Sequence, residues 1–415
     1  MRVLVVSTLY PPFALGGYEV ECSSVVERLG EQHDVLVLTS AKDHRTAIGA
    51  DSAFSRVQVR RELTLMTANE TGALRAPLAS VRAVGTARRA LEWKPDFIYS
   101  WNGASIPQSA LRIFADSGVP LAFRVCEHWF GGLFLRDQFM RELLPASRGP
   151  ARAFWAAGCR ALNLLPALRL DATAPVRTAV SWNSEAIRRM VTMPPFVDTV
   201  LERVGHSVPR YGDLYAAIER KPTDEPEIAF VGRVTPYKGL ASAIEALALL
   251  RSDHDVPASL VVAGPEDEGH AAELRSLAAR LGVADAVRWN GPLQPAGIAE
   301  LLARASVMIV PSTWDEPFPL VTIEGALARV PLVASDVGGI GEGMHDEQHA
   351  LLFPREDATA AAAALARTLR ETEQTAARVQ RAYERAQEFR LGPYLAEQER
   401  FVLDALSALR EGSGP

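Results

Sequence analysis

Short apolar runs bounded by turn residues recur along both halves of the chain, with helical patterns between most of them. In the first half they fall at Val3 to Ser7, His33 to Ser40, Pro95 to Trp101, Val119 to Val125 and Val176 to Trp182. In the second they fall at Glu227 to Val231, Ala258 to Ala263, Ala286 to Trp289, Val307 to Pro311 and Leu332 to Ser335. Runs of this length, buried on both faces and alternating with helices, specify parallel sheets covered by helices on both sides. At 415 residues the chain exceeds one ordinary core and suits two domains of roughly 200 residues each. The expected fold class is therefore α/β, with two Rossmann-like doubly wound parallel-sheet domains. Residues 193–226 are rich in Pro and weakly periodic, so the junction is placed there. The expected domains are 1–204 and 205–391, with a C-terminal helix over 392–410 that could return to the first.

Composition narrows the class further. Hydrophobic residues make up 48% and charged residues 23%, which fits a packed globular protein rather than a disordered one. No apolar stretch approaches the roughly 20 residues a helix needs to cross a bilayer. The N-terminal Val-Leu-Val-Val run is followed by Pro11 and Pro12 without a small-residue cleavage site, and reads as a first strand rather than a signal peptide. Three cysteines, Cys22, Cys126 and Cys159, with no Cys-x-x-Cys spacing argue against a disulfide framework and a structural zinc site. A cytoplasmic location is expected.

The net charge of -6 hides an asymmetry. Residues 1–204 hold 24 basic against 19 acidic side chains, and residues 205–415 hold 20 against 31, giving about +5 and -11. No run resembles a nucleic-acid-binding arm, so no nucleic-acid partner is expected. The basic first half is compatible with peripheral membrane contact, with an anionic acceptor, or with arginines that only solvate helix faces. Residues 129–171 interleave aromatic and Arg residues over a length too great for an ordinary connection. That stretch reads as a helical hairpin on its own domain, an acceptor pocket or a membrane-facing surface.

Ligands of doubly wound sheets bind at the carboxyl ends of the strands, and two loops there carry chemistry. Residues 230–239, Phe-Val-Gly-Arg-Val-Thr-Pro-Tyr-Lys-Gly, place Arg233 and Lys238 on one loop before a helix expected near Gly239. Two such cations suit a diphosphate, Arg with a fork of donors and Lys as a point charge. Residues 311–324, Pro-Ser-Thr-Trp-Asp-Glu-Pro-Phe-Pro-Leu-Val-Thr-Ile-Glu, run from a strand into a helix expected to open near Phe318, whose N-terminus favours a phosphate or sugar oxygen. Glu316 and Glu324 would lie about 12 Å apart on a fully helical path. That exceeds the separation of paired glycosidase carboxylates but suits the two ends of an elongated ligand.

These residues resemble the retaining GT-B glycosyltransferases, specifically glycosyltransferase family 4, through its Glu-x7-Glu motif. The resemblance implies a GT-B fold with two domains across a cleft. It implies an enzyme that moves a sugar from a nucleoside diphosphate sugar to the hydroxyl of an acceptor, which the sequence leaves unidentified. Carried over, Glu316 would bind hydroxyls of the transferred sugar, the backbone at Phe318, Pro319 and Leu320 would meet sugar or diphosphate, and Glu324 would bind the ribose. Arg233 and Lys238 match the family's Gly-Arg-x4-Lys-Gly loop and would bind the diphosphate. Gly16 and Gly17 resemble its glycine loop after the first strand, Gly338 and Gly339 its turn behind the donor site, and the segment from Gly291 to Leu293 its base-holding backbone.

One departure stands out: where the family has a His after a strand of the first domain, this chain reads Val125-Cys126-Glu127-His128-Trp129. Either His128 or Cys126 takes that place, and on a continuing strand both would face the same side. His128 is the preferred catalytic candidate beside Glu316. With no His-Glu-x-x-His and no cysteine cluster, the expected site uses neither metal nor cofactor. Retention of configuration follows from the resemblance. Two other readings of the same fold are a sugar-nucleotide epimerase or phosphorylase and a non-catalytic partner of another glycosyltransferase.

Overall fold

The structure, a computed structural model, describes residues 1–13, 17–40, 57–65, 72–101, 103–132, 149–150, 153–154, 157 and 175–411. Gly16 and most of the aromatic and basic stretch after Trp129 lie outside the described residues. Two compact units form: Met1–Gly205 together with Gly392–Pro415, and His206–Leu391.

The first unit is built on a seven-stranded sheet. Its strands are β1 (Arg2–Val6), β2 (Asp34–Ser40), β3 (Gln58–Leu63), β4 (Phe97–Ser100), β5 (Leu121–Val125), β6 (Val176–Trp182) and β7 (Val197–Val204). They lie in the order β3-β2-β1-β4-β5-β6-β7, and every pairing is parallel. The second unit has a six-stranded sheet of β8 (Glu227–Val231), β9 (Ser259–Ala263), β10 (Val287–Gly291), β11 (Val307–Val310), β12 (Leu332–Ser335) and β13 (Leu351–Phe353). Their order is β10-β9-β8-β11-β12-β13, again all parallel. The chain reverses its direction of travel across the sheet between β1 and β4 in one unit and between β8 and β11 in the other. These are the switch points at which ligands of such sheets bind.

Three strands escape the pattern of apolar runs, and all are edge strands. β3 (QVRREL) and β7 (VDTVLERV) are half exposed and carry charge, while β13 has only three residues. An edge strand packs only partly against its sheet and carries charge that discourages further pairing, so it does not read as a buried run.

Buried charge sits in the middle of the first sheet. Arg124, on β5, has no exposed side-chain surface and lies 2.8 Å from Glu21 Oε1. It also donates to Ser181 Oγ and the Trp182 carbonyl, each at 3.0 Å. The Tyr394 hydroxyl donates to the same Glu21 oxygen, and Tyr394 belongs to the C-terminal helix Leu391–Glu411. That helix buries Tyr394, Gln398, Phe401, Val402, Ala405 and Leu409, a stripe at helical spacing. Its Gln398 accepts from the Tyr99 hydroxyl at 2.9 Å, and the rings of Tyr99 and Phe401 lie 5.8 Å apart. The last helix of the chain is therefore part of the first unit's core.

Candidate functional site

In the second unit, the loops that follow β8 and β11 flank the switch point. They carry the cation pair and the two glutamates, and backbone bonds join them. The Thr313 N–H donates to the Tyr237 carbonyl at 2.9 Å. Gly239, with φ of 68°, brings its backbone so close to the end of β11 that a Cβ would lie 1.8 Å from the Pro311 carbonyl oxygen. Only glycine combines this left-handed conformation with that approach. The Ser335 hydroxyl, at the end of β12, donates to the Ser312 carbonyl at 2.7 Å and ties in a third loop.

Glu316 is 3% exposed. A buried carboxylate needs a partner, and here the Lys238 ammonium lies 2.6 Å from Oε1 while the Ser312 hydroxyl donates to the same oxygen. Around this pair the groups alternate between cation and ring. Arg233 stacks 5.4 Å from the Tyr237 centroid, Tyr237 meets Trp314 edge-on at 5.5 Å, and the Lys238 ammonium lies 6.0 Å from the Trp314 centroid. The rings limit where the two cationic side chains can swing. Ser312 is a site residue that sequence reasoning passed over, although it lies inside the quoted motif, four residues before the glutamate it holds.

The helix after Glu316 runs Leu320–Leu327 with Pro319 as its N-cap, two residues later than expected. Pro319 restricts Phe318 to an extended conformation, so the helix cannot open before it. Pro319 also has no N–H, which leaves Phe318 and Leu320 as the amide donors of this segment. Residues 316–319 thus lie off the helical path assumed for the 12 Å separation. Glu324 sits on the helix, half buried, and desolvation pushes its carboxyl up to about 7. Its charge adds to burial in raising the Tyr215 phenol.

Behind Glu316 lies the Gly338-Gly339 turn. The Gly339 N–H donates to the Glu316 carbonyl at 2.6 Å, and a Cβ on Gly339 would meet the Pro317 carbonyl oxygen at 2.2 Å. Phe318 is walled by His206 at 5.0 Å and Phe389 at 5.3 Å between ring centroids, and His206 Nε2 lies 2.5 Å from Glu342 Oε1. The sequence offered no signal for this cluster, whose members are up to 183 residues apart, from His206 to Phe389. Leu293 follows β10 at the same carboxyl edge of the sheet, two strands from the switch point, and packs beside Gly297.

In the first unit the picture is less concentrated. Gly17 opens the helix Gly17–Gly30, whose first turn holds the buried Glu19. The strand ends at Val125, as its apolar run does, and His128 starts a short 3₁₀ turn, His128–Gly132. Cys126 and His128 therefore do not share a strand face: Cys126 is buried and His128 exposed. The reason is the packing of Trp129 and Phe130, which turn inward against Phe123 at 6.2 and 5.2 Å between centroids. Burial holds the Cys126 thiol well above the usual range, which disfavours the thiolate. Among the described residues no group of three His, Cys, Asp or Glu side chains is arranged to hold a metal ion.

Residues 213–385 match the sequence profile of the family described as glycosyl transferases, group 1. That match lies within the second unit. A D-inositol 3-phosphate glycosyltransferase of Acidothermus cellulolyticus is 36% identical over 190 residues, which is 44% of this chain and 40% of that relative, so the chain spans well under two thirds of it. A glycogen synthase of Mycobacterium tuberculosis is 28% identical over 389 residues, 88% of this chain and 85% of the relative. Among solved structures, a sucrose-phosphate synthase from Thermosynechococcus elongatus aligns with a TM-score of 0.71 at 19% identity, over 98% of this chain and 99% of that one. The Anabaena protein HepE in complex with UDP-glucose aligns at 0.61 and 20% identity, over 96% and 99%. The fold is that of GT-B glycosyltransferases, with two Rossmann-like parallel-sheet units. The group 1 domain contains Arg233, Lys238, Leu293, Glu316 and Glu324, with Phe318, Pro319 and Leu320 between the two glutamates. No described helix is long and apolar enough to cross a membrane.

Proposed function

We propose that this protein transfers a sugar, with retention, from a nucleoside diphosphate sugar to an acceptor hydroxyl. The observation that carries the reading is the buried Glu316 carboxylate beside the Lys238 ammonium at the switch point of the group 1 domain. Glu316 accepts hydrogen bonds from sugar hydroxyls. Arg233 and Lys238 neutralise the diphosphate as its bond to the sugar breaks, aided by the Phe318 and Leu320 amides at the helix start. Glu324 accepts from the ribose hydroxyls, and the backbone near Leu293 lies against the base. His128 remains the candidate in the first unit, with Gly17 at the start of the helix that follows β1.

Transfer proceeds on the donor face from which the nucleotide leaves. The acceptor hydroxyl attacks the anomeric carbon, the bond to the diphosphate breaks, and the departing phosphate oxygen takes the hydroxyl proton. The cations of the Arg233 loop do the work for which other transferases use a divalent ion, so transfer continues in the presence of chelator. The relatives' names make inositol phosphates and growing glucans sensible first acceptors, and UDP-glucose a sensible first donor. The deciding experiment is a donor panel scored by released nucleoside diphosphate, with mass spectrometry of the acceptor product. Release that yields a rearranged sugar nucleotide without any acceptor would overturn transfer in favour of an epimerase.

A further inference from the structure

We infer that Glu316 makes the donor site prefer a sugar nucleotide to the bare nucleoside diphosphate, by competing with the diphosphate for the Lys238 ammonium. The inference rests on the reading of the site given above and adds a discrimination to it. Lys238 serves two anions. Its ammonium lies 2.6 Å from Glu316 Oε1, and the same side chain belongs to the loop assigned to the diphosphate. Glu316 is 3% exposed, so water cannot replace a lost cation, and an unpaired buried carboxylate is costly. The other donor to it, the Ser312 hydroxyl, falls on the same oxygen, Oε1.

Two ligands then meet different sites. A sugar nucleotide brings hydroxyls that donate to the Glu316 carboxylate, so Lys238 can turn its charge to the diphosphate without stranding Glu316. A bare nucleoside diphosphate brings none. It must share Lys238 with Glu316 and sits near a negative charge that no ligand hydroxyl offsets. Once the sugar has left for the acceptor, Glu316 draws Lys238 back and the grip on the spent nucleotide weakens. The carboxylate that orients the sugar thus also speeds the exit of the product.

Calorimetry with UDP and UDP-glucose, ADP and ADP-glucose, and GDP and GDP-mannose tests this on the full chain. For the pair that binds, Glu316→Gln is expected to tighten the bare diphosphate about 10-fold, the effect of one charge-assisted hydrogen bond regained, while weakening the sugar nucleotide. Lys238→Ala should abolish that tightening in the double variant. Ser312→Ala, a gentler change, should weaken the bare diphosphate about 3-fold, because Glu316 then leans harder on Lys238. Unchanged or weaker diphosphate binding in Glu316→Gln, with sugar-nucleotide binding still reduced, overturns the competition and leaves the donor site standing. Should Glu316→Gln not fold, unchanged or tighter diphosphate binding in Ser312→Ala overturns it instead. If none of the three pairs binds the native chain, the reading of the site falls with the inference.

Discussion

Gly338 holds Glu316 in place through its lack of a side chain: a Cβ there would lie 2.3 Å from the Glu316 carbonyl oxygen and 2.6 Å from its nitrogen. The residue also has φ of 51°, so an L side chain is disfavoured twice, by conformation and by contact. Gly338→Ala should therefore cost about 3 kcal/mol or more in stability and raise the donor KM by displacing Glu316. Gly118, with φ of 75° and nothing within 4 Å of its Cβ position, is the control. Its Ala variant should cost only about 1 kcal/mol and leave the donor KM unchanged. Equal losses of melting temperature in the two variants would refute the steric argument.

On the proposed reading, removing the Glu316 side chain removes its contact to the sugar. Glu316→Ala is expected to lower kcat by about 1000-fold, the scale of losing a well-placed polar group acting in the transition state. A rate within a few-fold of the native enzyme would end its assignment.

Arg233→Ala and Lys238→Ala should each weaken nucleoside diphosphate binding by about 10-fold or more, as expected for lost charge-assisted bonds to phosphate. Titration calorimetry reads this directly. Unchanged affinity in both would detach the loop from the diphosphate.

Glu324 gives the site a pH dependence. Desolvation raises its carboxyl to about 7, so the folded chain holds a proton there that the unfolded chain has released. Its contribution to stability is full below about pH 4.5 and is lost as pH rises through 7. Ribose hydroxyls favour the ionised form, so the KM for the sugar nucleotide should fall between pH 6 and 8. Glu324→Gln should flatten both trends, and a native slope that survives in this variant would assign the titration elsewhere.

The central strands of both sheets and the two loops of the candidate site were legible because they depend on local signals. Apolar runs announced the central strands, and the loops holding Lys238 and Glu316 are each contiguous in sequence. What stayed hidden is long-range or partly exposed. β3 and β7 carry charge at the sheet edges, the pairing of Arg124 with Glu21 spans 103 residues, and His206 meets Phe318 only through the fold. Near His128 the path after β5 is set by tertiary packing, since Trp129 and Phe130 reach the core from a 3₁₀ turn.

Tyr394 tests the other unit. Tyr394→Phe removes a hydroxyl that donates to the buried Glu21 and should cost about 1 to 3 kcal/mol, with no change in nucleotide affinity. A shift in donor binding as large as the loss of stability would contradict the placement of the last helix.

That placement makes the group 1 unit an insert: the chain leaves the first unit at Gly205 and rejoins it at Gly392. A deletion of the last two dozen residues, which on paper trims the end of the second unit, instead uncovers the Arg124 and Glu21 pair of the first. Anyone exchanging the second unit should cut at both junctions and leave the tail with the head.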